Sequence, residues 1–160
     1  MKIEELDLAY NECQANGKFI PSETIDKELA ESLYRQAKSD WEEALEFEKA
    51  REKKTTNYSK LFSTRYDVMR MLIHVLAILD KIKPGDHKCI GAHLCVKHPE
   101  FEFDWETLET MRLLRNGVQY RGQSITKETW LSYKLKFDIY IRPLFSFVEK
   151  MLKEELKDIQ

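Results

Sequence analysis

An all-α fold, built as an antiparallel up-and-down bundle of four to five main helices, is what this chain predicts, and three observations predict it. Apolar residues recur every three or four positions over long stretches. Only 5 glycines and 4 prolines punctuate 160 residues, too few for the turns of a many-stranded sheet. No segment shows convincing period-two alternation, and no internal repeat stands out.

The elements follow in order. Residues 3–16 form a short helix in this reading, with Ile3, Leu6, Ala9, Tyr10 and Cys13 on one side and Gly17 as its stop. It is an N-terminal extension (1–20) to a bundle spanning 21–157. Pro21-Ser22 opens the first long helix, where Ile25, Leu29, Leu33, Ala37, Trp41, Ala44 and Leu45 make a core-facing stripe. Polar residues 51–57 connect it to a second long helix over 58–82, apolar at Leu61, Phe62, Tyr66, Met69, Leu72, Ile73, Leu76 and Leu79. Lys83-Pro84-Gly85 ends that helix. Asp86 caps a shorter one to Lys97, closed by His98-Pro99, and Asp104 caps the next. Thr126 caps the last helix, Ile125 staples onto Trp130, and Pro143 is expected to kink it.

Composition narrows the classes. Hydrophobic residues at 42% and charged residues at 34% describe a globular chain rather than a disordered one. The opening Met-Lys-Ile-Glu-Glu-Leu-Asp lacks the pattern of a signal peptide, and no uncharged apolar run approaches the roughly 20 residues that span a bilayer. Three cysteines fit a reducing cytosol better than a disulfide framework, so a cytoplasmic protein without a membrane is expected. A formal charge of -2 excludes strong bulk attraction to nucleic acid, so any such contact must be local.

One stretch has that local character. From Met111 to Lys127 the chain carries Arg112, Arg115, Arg121 and Lys127 and no carboxylate. Arginine presents forked donors suited to phosphate, and Gly117 and Gly122 would let backbone approach a ligand closely. On a helix running to about Asn116, Leu108, Met111, Arg112 and Arg115 share or border one face. Two arginines there need a phosphate, a second subunit, or carboxylates of neighbouring helices such as Asp67 or Asp80. Lys53, Lys54, Lys60 and Arg65 make a second cationic run, either flanking a groove or simply solvated.

The run Arg115-Asn116-Gly117-Val118-Gln119-Tyr120 resembles the motif of the HEPN superfamily (higher eukaryote and prokaryote nucleotide-binding domains), an arginine and a polar residue followed by a histidine. The resemblance extends from about Ile25 to Leu152. It implies a helical bundle, usually a homodimer with the motif at the interface, that binds RNA or a nucleotide. It also implies a metal-independent endoribonuclease, with attack of the RNA 2'-hydroxyl on its own phosphate. A toxin-antitoxin or defence setting with a nucleotidyltransferase-type antitoxin partner goes with it. Arg115, Asn116 and Tyr120 take the catalytic positions, while Arg112, Arg121 and Lys127 are further nucleic-acid contacts. This chain has Tyr120 where catalytic members have histidine. A phenol with pKa near 10 is a poor base at neutral pH beside an imidazole near 6.5. The substitution moves the expectation from cleavage towards binding. A non-catalytic module docking an acidic protein is the alternative.

No cofactor is implied. His87, Cys89, His93, Cys95 and His98 invite a zinc reading, but Cys89 and His93 share one helical face while Cys95 and His98 share another. One straight helix cannot bring four such ligands together, so no metal is assigned, although two of them could be completed by another chain. His74 reads as a packing residue. His87, at the start of its helix, is the histidine in position to reach a site or merely to cap the turn.

Overall fold

The structure is a computed structural model that describes residues 2–83 and 85–157. Among them are six helices: α1 (Leu6–Ala15), α2 (Lys27–Arg51), α3 (Ser59–Leu79), α4 (His87–Lys97), α5 (Trp105–Arg121) and α6 (Lys127–Lys157), with a 3-10 turn at Pro99–Phe101. The all-α helical bundle expected from the sequence is the fold. None of the described helices is long and apolar enough to cross a membrane.

Helix α3 is the axis. Its Leu61, Phe62, Val68, Met69, Leu72, Ile73, Val75 and Leu76 are buried, and α2, α4, α5 and α6 all pack against it. A helix that is apolar nearly all round has to be surrounded in this way. Trp130, Phe137, Ile141, Leu144 and Val148 of α6 face it, and α6 continues unbroken through Pro143.

Helix α2 departs from the expected stripe. Its buried positions are Ala30, Ala37, Ala44 and Glu48, while Leu29 and Leu45 are exposed. Small side chains on the inner face suit close approach to α3, which leaves the larger ones at the margins.

The start of α2 and the end of α3 also differ from expectation, for one reason. Ile20–Pro21 (β1) pairs antiparallel with Ile82–Lys83 (β2), so Pro21-Ser22 does not open the helix. The cap is Asp26, whose carboxylate accepts from the Leu29 N–H at 3.0 Å. Helix α3 stops at Leu79 and the chain turns through Lys81 at φ 62 into β2. Pro84, part of the expected stop, lies outside the described residues.

Local capping signals are met elsewhere. Asp86 accepts from the Cys89 N–H at 3.1 Å, Asp104 from Thr107 at 2.9 Å, and Thr126 from Thr129 at 3.2 Å.

Arg65 is not a surface cation. It is 2% exposed, hydrogen-bonds Glu48 of α2 and Asp138 of α6, and lies 4.6 Å from the Trp41 ring centroid. A buried guanidinium is tolerable only with such partners, so this residue ties three helices together. That corrects the second cationic run, which loses its only arginine. Lys60 lines a separate groove with Asp40, Glu43 and Glu46.

The expectation of three free cysteines is corrected too. Cys13 of α1 and Cys89 of α4 form a disulfide with Cα atoms 5.7 Å apart, leaving Cys95 free. Helix α1 packs on α4, and Ala9 and Ala92 share a buried cluster with Trp105 at the start of α5. Trp105 Nε1–H donates to the Glu4 carbonyl at 2.8 Å, and Lys88 pairs with Glu4.

Candidate functional site

Helix α5 continues past Asn116 to Arg121, so the whole motif is helical. The two glycines therefore serve the helix rather than a ligand. Gly117 is buried inside it, and the Gln123 side chain fills the space that a Cβ would need. Gly122 sits at φ 63 and ends the helix, with Gln123 N–H donating back to the Gly117 carbonyl at 3.1 Å.

One face of α5 borders a groove of about 440 Å³ between α3, α5 and the start of α4. Its walls include Arg112, Arg115, Asn116 and Tyr120 from the motif, Arg70 and Asp67 from α3, and His87 from α4. Tyr120 stands at the rim with 74% of its surface exposed. Arg121 and Lys127 are exposed, and neither belongs to the groove wall.

The arginines differ in how they are held. Arg112 makes a forked pair with Glu109 on its own helix, at 2.8 and 2.9 Å. Arg115 makes a forked pair with Asp67 across to α3, with both hydrogen bonds at 3.2 Å. Charge-assisted bonds usually close to 2.7–2.9 Å, so the Arg115 pair is the looser. Of the two carboxylates named beforehand for these arginines, Asp67 is used and Asp80 is not.

Arg70 is the residue that sequence reasoning missed. Among the described residues no carboxylate pairs with it, and its buried Nε has no partner. Its Nη1 lies 3.2 Å from His87 Nε2, and His87 Nδ1 lies 2.9 Å from His74 Nε2. Arginine can only donate, so His87 Nε2 must be the acceptor and Nδ1 must carry the proton it gives to His74. The imidazole of His87 is thereby held neutral. Burial and then the Arg70 charge push its pKa below the usual histidine value. Burial, reinforced by His87 and Arg70, pushes His74 down to about 4. The signal was present as Arg70 and His74 four residues apart on an otherwise apolar helix face.

The other end of α4 has opposite surroundings. His93 Nε2 and His98 Nε2 approach the same Asp80 oxygen, at 2.9 and 2.6 Å, and His98 Nδ1 is 3.1 Å from Glu100. The face argument kept His93 and His98 apart only on one straight helix; His98 lies beyond the helix, at φ -127 and ψ 59, and Asp80 at the end of α3 meets both histidines. Neither Cys89 nor Cys95 takes part; burial pushes the Cys95 thiol up to about 12.

No family model matches the chain, and neither the curated proteins nor the solved structures include a match to it.

Proposed function

We propose that this chain is a HEPN-like RNA-binding protein whose groove engages a phosphodiester between α3 and α5. The carrying observation is the Arg70–His87 pair beside Arg115, Asn116 and Tyr120: a guanidinium without a carboxylate, next to an imidazole fixed as an acceptor. Of the cations lining the groove, Lys88, Arg112 and Arg115 already pair with Glu4, Glu109 and Asp67, so it is Arg70, without a carboxylate among the described residues, that favours an anionic ligand. Phosphate can compete for Arg115 because its bonds to Asp67 are long, whereas Arg112 is more firmly held. Tyr120 at the rim offers a ring for a base to stack on.

In the enzymatic version, His87 supplies the imidazole that the motif lacks at position 120. A phosphate that draws Arg70 away frees the His87 Nε2 lone pair. His87 then removes the proton of the RNA 2'-hydroxyl, whose oxygen bonds to the adjacent phosphorus. The P–O5' bond breaks and the departing O5' takes a proton from the His87 imidazolium, directly or through water, leaving a 2',3'-cyclic phosphate, a 5'-hydroxyl end and a neutral His87. A neutral imidazole at pH 7 is the protonation state this step requires. Two copies would build one cleft around the motif, and a nucleotidyltransferase-type protein would be the silencing partner.

The second reading, a non-catalytic module whose basic face docks an acidic protein, draws on the ion pairs that already occupy Arg112 and Arg115.

The test is RNA binding as a function of salt, followed by cleavage of varied RNAs in chelator. Binding should weaken with salt, and Arg115→Ala should cost about tenfold in affinity. His87→Ala should abolish cleavage while leaving binding largely intact. Salt-independent or absent RNA binding overturns the nucleic-acid reading and leaves the docking module.

A further inference from the structure

Asp80 ends α3, His93 lies in the last two turns of α4, and His98 caps that helix, yet their ligand atoms lie within 4.8 Å of one another. We propose that Asp80, His93 and His98 form a binding site for one divalent transition ion of the zinc class.

Four features carry this. The two Nε2 atoms and the Asp80 oxygen converge from three separate places in the chain, which is the arrangement a chelating site needs and a single helix cannot supply. Glu100 accepts from His98 Nδ1, so a carboxylate outside the triad fixes the tautomer that leaves Nε2 for a metal. His93 is buried and His98 largely so, with side chains 7% and 12% exposed, and Phe19, Phe101 and Phe147 pack their rings within about 6 Å centroid to centroid. Asp80 keeps a quarter of its side chain exposed, leaving an entry side and room for a water as fourth ligand.

Charge points the same way. Without a metal, His98 lies between two carboxylates, and both of its nitrogens must donate. His93 must likewise spend its Nε2–H on the same Asp80 oxygen. A divalent ion replaces those two Nε2 protons and balances Asp80 and Glu100. Two imidazole nitrogens select zinc, nickel or cobalt over magnesium and calcium. The ion would clamp α4 to the end of α3. His87, six residues earlier on α4 and about 9 Å away along its axis, would be held in register by the same clamp.

The experiment titrates chelator-treated full-length protein with Zn²⁺ against a chromophoric competitor and follows thermal unfolding. One Zn²⁺ per chain should bind and raise Tm, with no comparable rise from Mg²⁺. His98→Gln should remove most of the affinity, and Glu100→Gln, exposed and safe for folding, should cost about tenfold. Cys95→Ala should change neither. Co²⁺ should give a four-coordinate visible spectrum without a thiolate charge-transfer band. Absent stoichiometric binding, undiminished affinity in both His98→Gln and Glu100→Gln, an equal response to Mg²⁺, or a thiolate band would each overturn the site.

Discussion

The two ends of α4 carry histidine pairs in opposite electrostatic settings. At the N-terminal end His87 and His74 meet Arg70, and burial with neighbouring positive charge drives both imidazoles towards the neutral form. At the C-terminal end His98 meets Asp80 and Glu100, and the hydrogen bond to Asp80 raises its pKa. Burial alone would raise Asp80, but the bonds from His93 and His98 more than offset it, so its pKa is lowered. The same residue type is thus prepared as a neutral acceptor at one end and as a donor or metal ligand at the other. Burial is common to both; the sign of the nearest fixed charge makes the difference.

The comparison can be broken first at the joint the two ends share. Cys89, between them on α4, is bonded to Cys13 across 76 residues. Reduction, or Cys13→Ser, should cost about 3–4 kcal/mol of stability by releasing a long loop in the unfolded chain, measured by urea unfolding. A change near zero would mean that α1 is held by packing alone. Such a bond persists in an oxidising compartment and opens in a reducing one, so redox state decides whether α1 is tethered.

Asp80→Asn attacks the acidic end. It leaves two donors facing an amide and should cost about 2–3 kcal/mol in metal-free protein, less than a fully buried pair because Asp80 is partly exposed. His87 should keep its chemical-shift titration in this variant.

At the cationic end, the depressed pKa of His74 sets a pH dependence. The unfolded imidazole binds a proton near 6.5, while the folded one resists it down to about 4. Its contribution to stability is therefore intact above pH 6.5 and is lost as pH falls towards 4. His74→Gln should flatten that acid limb in denaturation measured between pH 7 and 4. Arg70→Met should raise the His87 pKa in an NMR titration, since the Arg70 charge is, after burial, the largest cause of its depression. The smallest effect is Tyr120→Ala: below about 0.5 kcal/mol in stability because the ring is exposed, with any loss confined to RNA affinity.

The sequence alone determined the helical class and the caps at Asp86, Asp104 and Thr126, whereas the stop at Gly122 emerged only with the structure. The caps are local events, decided by side chains within a few residues of the backbone groups they serve. It also located the cationic face of α5, because Arg112 and Arg115 are read from one helical repeat. Tertiary structure decided what lies far apart in the chain. The β1–β2 pairing moved two helix ends, burial turned Arg65 from a surface cation into a core tie, and docking of α1 joined Cys13 to Cys89. Arg70 reached His87 across 17 residues, and Asp80 met His93 and His98 only because α4 folds back on α3. A spacing pattern records which residues share a face of one helix; which faces meet depends on how whole helices pack, and that depends on every side chain in the core at once.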